Sequence, residues 1–344
     1  MKLLICTQVV DKNHPILGFF HGWIAEFGKH FEKVYVIALG TGEYSLPDNV
    51  TVLSLGKERG VTKFALVWNF YKHFRWVFFT EQVDFAFFHM GAVLNILAAP
   101  FFLVRKMRST TFIWWKTYGH LKWFEYLALR FVDQVATASG DSFPVDTSKK
   151  RVVGHAINIE DFHIENISRE GMVFIGRIMP VKCVDQVLEI ARKLKEQGHE
   201  TKLRIIGTEP DQEYKQSLLD YVDKHELGSS VTFVGPITHA KVVTEFKRAL
   251  ISINPSNTDS IDKVVLEAMV GGAVPVTNTL AFAEMLKPFG LFTGKNDTDA
   301  MVEVVKRVLD MSELEREELS QSLRNIVVDN HALGTLPTRL FGVS

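Results

Sequence analysis

Short apolar, β-branched runs alternate with helix-periodic segments twice along this chain, and that doubled rhythm limits the fold more than any other feature. In the first half Lys2–Cys6, Val34–Ala38, Val50–Leu53, Phe85–His89, Thr110–Trp114 and Gln134–Thr137 read as strands. Trp23–Phe31, Phe64–Phe79, Val93–Val104 and Leu121–Phe131 read as helices. Strands separated by helices run parallel with right-handed crossovers, which gives a Rossmann-like layered sheet. The rhythm pauses around Arg151–His163 and then resumes. Met172–Ile175, Lys202–Ile206, Val231–Val234, Leu250–Asn254 and Val274–Thr277 are the second set of strands. Val184–Gln197, Gln212–His225, Lys241–Arg248 and Lys263–Val270 are their helices, with final helices from Thr298 to about Val328. The expected fold is α/β, two facing Rossmann-like domains with a cleft between them, spanning residues 1–160 and 161–328. The tail, about 329–344, is expected to pack back on the first domain. A chain of 344 residues suits two such domains, since a single core stops growing well below that length.

Composition narrows the function classes. Apolar residues are 47% and charged residues 23% of the chain, the balance of a folded globular protein, and the net charge of -1 does not point to nucleic acid. The charge is nonetheless uneven. Residues 1–160 hold 18 Lys+Arg against 13 Asp+Glu, and within residues 57–130 the balance is 11 against 4. An excess of this kind marks attraction to an anionic surface or substrate. Two distant cysteines, Cys6 and Cys183, make neither a disulfide framework nor a metal-ligand spacing, which favours a reducing, cytoplasmic setting. The apolar run that opens the chain is too short for a signal peptide and reads as a first strand. Phe85–Val104 is long enough to test as a membrane span, but Pro100 interrupts it, and a buried strand-loop-helix run is the favoured reading.

Motifs exclude further classes. No Gly-x-Gly-x-x-Gly follows any strand, and a Walker A loop, a Gly-x-Ser-x-Gly elbow and a His-Glu-x-x-His helix are all absent. The informative segment is Asn254-Pro255-Ser256-Asn257-Thr258-Asp259-Ser260-Ile261-Asp262-Lys263, continuing through Glu267-Ala268-Met269. A strand ends, a polar loop follows and a helix begins near Lys263. Asp259, Ser260 and Asp262 are good capping types, and the free N–H groups of a helix start suit a diphosphate. Glu267, one turn further in, has the chemistry to accept hydrogen bonds from vicinal hydroxyls such as those of a ribose.

This segment resembles the Glu-x7-Glu signature of glycosyltransferase family 4 in the GT-B fold. The resemblance implies that Glu267 holds the nucleotide ribose and that Asp259, in place of the first Glu, contacts the donor sugar, with Asp262 able to share that contact. Phe174-Ile175-Gly176-Arg177-Ile178-Met179-Pro180-Val181-Lys182-Cys183-Val184-Asp185 resembles the Gly-Arg and Lys-Gly-x-Asp segment of the same family. Arg177 and Lys182 would then grip the donor diphosphate, where fixed cations stabilise the charge of the leaving group. Cys183 replaces the usual Gly, which implies an altered turn. Leu203–Pro210 and Val231–Pro236 match two further strand-and-turn segments, the second placing Pro236 beside the nucleobase, and Ile157–Phe162 matches the linker before the second domain. Together these segments are collinear over residues 150–277.

The first domain is less legible. Gly18 follows the first strand, where the family has a glycine-containing loop near the donor phosphates. A catalytic-region histidine falls after a strand such as Thr111–Trp115, and the count back from Asp133 places either His120 or Tyr118 there. Phe64–Phe79 mixes aromatic residues with Lys63, Lys72, His73 and Arg75, which suits a packed core helix, an interfacial membrane contact or an acceptor groove. The resemblance implies a retaining transfer from a nucleoside diphosphate sugar to a glycan or lipid-linked hydroxyl acceptor, with neither metal nor other cofactor. The setting would be cytoplasmic, at or near the inner face of a membrane. A degenerate GT-B protein that only binds nucleotide or a partner, and a nucleotide-sugar epimerase, are the alternative readings.

Overall fold

The computed structural model describes residues 1–14, 17–117, 120–163, 168–258 and 261–343. The chain divides into two compact units, Met1–Ala156 with Leu333–Ser344, and Ile157–Ala332.

The first unit runs β1 (Lys2–Val10), α1 (Phe19–His30), β2 (Lys33–Thr41), β3 (Val50–Ser54), α2 (Lys63–Trp76), β4 (Phe85–His89), α3 (Ala92–Leu97), α4 (Ala99–Val104), β5 (Thr111–Trp115), α5 (Trp123–Ala128), β6 (Gln134–Thr137) and β7 (Lys150–Val152). Its seven strands form one sheet in the order β3-β2-β1-β4-β5-β6-β7, and every pairing is parallel. Helices packed on the sheet bury the middle of the central strands, which is why residues 3–6 of β1, 34–38 of β2 and 86–88 of β4 read as apolar runs. β7 was not visible as a strand because two of its three residues, Arg151 and Val152, are exposed at the sheet edge.

Phe85–Val104 folds as a strand and two short helices. Pro100 sits in the first turn of α4, where its missing N–H costs no hydrogen bond, so the single helix expected over Val93–Val104 is divided. No helix among the described residues is long and apolar enough to cross a membrane. Helix α2 starts at Thr62, whose hydroxyl accepts from Ala65 N–H at 3.3 Å, and ends in a π turn over Val77–Glu81. Phe70, Phe74, Val77 and Phe78 enter the core, whereas Phe64, Trp68, Lys72 and Arg75 face outward.

The second unit runs β8 (Met172–Ile175), α6 (Val184–Glu196), β9 (Leu203–Ile206), α7 (Gln212–Lys224), β10 (Val231–Gly235), α8 (His239–Arg248), β11 (Ile251–Asn254), α9 (Lys263–Gly271), β12 (Val274–Thr277), α10 (Ala283–Leu286), α11 (Thr298–Asp310) and α12 (Glu313–His331). Five parallel strands pair in the order β10-β9-β8-β11-β12. Side chains start several helices: Asp211 caps α7, Asp297 caps α11, and Ser312 with Glu315 forms a capping box on α12. A last helix, α13 (Leu336–Phe341), belongs to the first unit, where the Phe341 ring lies 5.1–5.7 Å from those of Phe27, Phe31, Phe85 and Phe87.

Candidate functional site

In the second unit the strands after β8 step outward to β9 and β10, then the chain returns to the other side of β8 for β11 and β12. The loops that leave β8 and β11 therefore lie side by side at the topological switch of the sheet, the place where open α/β sheets bind ligands. These are the two segments singled out above, and the fold joins them directly. Asn257 N–H donates to the Val181 carbonyl at 3.0 Å. Lys182 Nζ lies 2.6 Å from Asp262 Oδ2, with both side chains largely shielded from water.

Asp262 occupies the N-cap position of α9, yet its side chain makes no capping hydrogen bond. Its carboxylate is committed to Lys182 instead, so capping does not explain the acid. Lys263 follows, half-buried, and desolvation pushes its ammonium below the usual lysine range while the Glu267 carboxylate opposes the shift. Glu267 sits one turn into the helix at 7% exposure, and no hydrogen bond engages its carboxylate among the described residues. A shielded carboxylate with unspent acceptor capacity is suited to a pair of hydroxyl donors. Arg177, by contrast, is exposed on the loop after β8 and has no ion pair among the described residues. Asp259 and Ser260 lie outside the described residues.

Backbone approach also shapes this edge. Gly207, at φ 153°, comes so near Gly176 that an added Cβ would sit 1.7 Å from the Gly176 carbonyl oxygen. Only glycine permits the ends of β8 and β9 to close in this way. Gly235 (φ 80°) turns the chain after β10 and leaves Pro236 exposed. Beside α9, Ser256 N–H donates to Asn278 Oδ1 at 2.8 Å, and its hydroxyl lies 2.8 Å from that of Thr258. Asn254 Oδ1, Asn278 Nδ2 and Thr279 Oγ1 are buried without hydrogen-bond partners among the described residues, at the ends of β11 and β12. Buried polar atoms of this kind are rare in folded proteins, and here three gather at one strand edge.

Cys183 stands in the turn before α6. The cysteine takes the left-handed backbone conformation itself (φ 48°, ψ 45°), between the short turn Pro180–Lys182 and α6. Cysteine thus occupies a conformation that favours glycine. Burial, together with Asp185, pushes its thiol above the usual cysteine range, so the group is held as a thiol rather than a reactive thiolate.

In the first unit Gly18 stands at the N-cap of α1, with its N–H donated to the His14 carbonyl at 2.9 Å. A Cβ there would meet the carbonyl oxygens of His14 and Lys12 at 2.7 and 2.8 Å. These two close carbonyls alone therefore require glycine. His120 lies exposed on the loop after β5, and Tyr118 falls outside the described residues. Sequence reasoning missed two buried groups at the same edge of this sheet. Lys116 Nζ pairs with Glu125 Oε1 at 2.5 Å, with side-chain exposures of 6% and 8%. The ring of His89, 1% exposed, stacks on Phe20 at 3.7 Å, with Thr7 Oγ1 3.4 Å from its Nδ1. Nothing in the local spacing of the sequence marks Lys116 and Glu125 as partners. Among the described residues no cluster of three or more His, Cys, Asp or Glu is arranged to hold a metal ion.

Residues 159–325 match the family described as Glycosyl transferases group 1. No curated protein matches the chain in sequence. Solved structures match it over nearly the whole length. The HepE protein of Anabaena in complex with UDP superposes with a TM-score of 0.76 at 12% identity, covering 98% of each chain. HepE is also known in complex with UDP-glucose. A glycosyltransferase of Rickettsia africae gives a TM-score of 0.71 at 14% identity, covering 97% of this chain and 96% of the other. The sucrose-phosphate synthase of Thermosynechococcus elongatus gives 0.72 at 14%, covering 98% and 96%. The fold of the chain is accordingly GT-B, built from two α/β units with parallel sheets.

Proposed function

We propose that this protein is a retaining glycosyltransferase that moves a sugar from a nucleoside diphosphate sugar, UDP- or GDP-linked, to a hydroxyl acceptor in glycan, glycolipid or polysaccharide synthesis. The observation that carries the reading is the junction of the two loops at the β8/β11 switch. It sets Lys182, Asp262, Lys263 and Glu267 at one strand edge, within a segment that matches the group 1 family. Binding of UDP and UDP-glucose by HepE, which shares the fold, supports a nucleotide-sugar donor.

Each residue then has a task. Glu267 accepts hydrogen bonds from the ribose hydroxyls, and Pro236 borders the base. Lys182, Lys263 and Arg177 meet the diphosphate, whose negative charge grows as the glycosidic bond breaks, and such charge-assisted contacts are worth most where charge develops. Asp259, or Asp262 once Lys182 turns to the phosphates, contacts the sugar hydroxyls. Gly18 lets its loop come close to the donor phosphates. His120, with Tyr118 as the alternative, orients the reacting sugar from the first unit. Retention proceeds by front-face attack within an ion pair, with the cations taking the role that a metal ion fills elsewhere. The exposed basic and aromatic face of α2 brings the protein to an anionic membrane surface, at the cytoplasmic side.

A binding-only protein is the second reading, and the Lys182–Asp262 pair is the observation that favours it, because it occupies a cation that the donor needs. A thermal-shift panel of UDP, GDP, ADP and TDP tests the donor site. A ligand at a hundred times its Kd stabilises the native state by about 2.7 kcal/mol, which is roughly 5–10 °C for a unit of this size. UDP or GDP should give that shift, and no shift with any of the four would sink the reading. Incubation with UDP-glucose and no acceptor then separates the classes, since a transferase releases glucose slowly, an epimerase yields the epimer and a pure binder leaves the donor intact.

A further inference from the structure

The first unit holds a cavity of about 380 Å³ that no donor role uses. It opens where β1 and β4 diverge, the topological switch of the seven-stranded sheet, and thus at the place where an open sheet takes a ligand. Its walls are mostly hydrocarbon, with Leu39 from β2, Leu55 after β3, Leu66 and Val67 from α2, Leu97 from α3 and Phe124 from α5, while Gln8 of β1 and Lys63 at the start of α2 also line it. The acid that reaches it, Glu125, is neutralised by Lys116 at 2.5 Å. Over most of this wall sugar hydroxyls would lose water without gaining hydrogen bonds, a cost of several kcal/mol for each group so placed. A hydrocarbon chain meets no such penalty.

The helices that line the cavity also carry apolar side chains out into water. Phe64 and Trp68 on α2 are 79% and 66% exposed, Val93 on α3 is 59% and Trp123 on α5 is 80%. Lys63, Lys72, Arg75 and Lys122 are exposed on or beside the same helices. Exposed aromatic surface among cations is the chemistry of contact with an anionic bilayer, the phase from which a hydrocarbon chain would enter.

We propose that this cavity binds the hydrocarbon chain of a lipid-linked acceptor, so that the protein glycosylates a membrane lipid rather than a free sugar; this rests on the transferase reading above. The volume lies within the ordinary range of ligand pockets, roughly 300–1,000 Å³.

Calorimetric titration of the full chain with methyl, hexyl and octyl β-D-glucoside, below their micellar concentrations and without nucleotide, tests the proposal. Methyl glucoside should not bind, and affinity should rise about fourfold for each added methylene between hexyl and octyl. Val67→Trp and Val93→Trp place bulk at the cavity mouth on exposed positions, and each should abolish most of the octyl glucoside binding. Both variants should keep the parental melting temperature and the parental shift with UDP. Affinity that ignores chain length, or Trp variants that bind octyl glucoside like the parent, would overturn the assignment. So would a concentration-dependent dimer in gel filtration that the Trp variants dissociate, since a second copy would then be the occupant. The nucleotide shift reports the donor site separately: no shift with UDP, GDP, ADP or TDP while chain-length dependence is intact sinks the transferase reading and leaves the lipid site, and the reverse result does the opposite.

Discussion

The two units share one layered plan and end it in opposite chemistry. At the β8/β11 switch the second unit gathers Lys182, Asp262, Lys263 and Glu267, with buried amide and hydroxyl groups behind them. At the β1/β4 switch the first unit gathers mainly leucine, valine and phenylalanine around a cavity, with Gln8 and Lys63 also in its wall and its one acid there tied to Lys116. Position in the fold therefore selects where a ligand sits, while the loop residues select which ligand. On the proposed reading the second edge takes an anion and the first a hydrocarbon chain.

The sharpest way to break this contrast is His120. It stands on the first unit, after β5, whereas the charged side chains assigned to the nucleotide, Arg177, Lys182, Lys263 and Glu267, stand on the second. His120→Ala should lower turnover by about 100- to 10,000-fold while the affinity for bare UDP stays near that of the parent, as expected for a contact made mainly in the transition state. Tyr118→Phe is the companion variant. Full activity in His120→Ala with a large loss in Tyr118→Phe transfers the role to Tyr118, and unchanged turnover in both leaves the first unit without a residue that touches the reacting sugar.

Smaller effects sharpen the contrast at the second edge. Glu267→Ala and Lys182→Ala each delete a charge-assisted contact worth roughly 1.5–3 kcal/mol, so UDP affinity should fall about 10- to 150-fold without unfolding. If both melt normally and bind UDP as tightly as the parent, the donor assignment fails. Asp262→Asn separates two roles for the acid that pairs with Lys182. Tighter UDP binding means that Asp262 only restrains the lysine, and weaker donor binding with unchanged UDP binding places it on the sugar.

The same contrast explains what could be read from the chain before its structure. Most strand and helix cores were legible because buried parallel strands and amphipathic helices write their periods directly into the residues: Phe85–His89, Gln134–Thr137, Met172–Ile175 and Val274–Thr277 fall where their patterns place them. β7 was not, since an edge strand of Lys150-Arg151-Val152 carries no apolar run. The polar edge of the second unit was legible because charged residues at fixed spacings stand out in a loop. The apolar edge of the first was not, for its lining comes from five separate elements and differs in no local way from core. Lys116 and Glu125 illustrate the limit, being ordinary surface types that only the fold brings together inside the protein.

The smallest expected effect concerns the outward face of α2, and it asks whether the first unit meets a membrane at all. Thr62 starts this helix, Phe70 and Phe74 anchor it in the core, and Lys72 and Arg75 remain exposed beside Trp68. A cation at an anionic bilayer surface contributes about 1 kcal/mol, so Lys72→Gln or Arg75→Gln should each weaken sedimentation with phosphatidylserine-containing vesicles by roughly fivefold. The double change to Glu should weaken it further, and raised salt should mimic the loss because these exposed charges are screened over about 8 Å at physiological ionic strength. UDP affinity should not move in any of these variants, since the charges lie on the other unit from the donor residues. A parent protein that ignores such vesicles removes the membrane contact outright. Vesicle binding that survives both the Glu double variant and high salt would instead assign the contact to Phe64, Trp68 and Trp123, with the cations as bystanders.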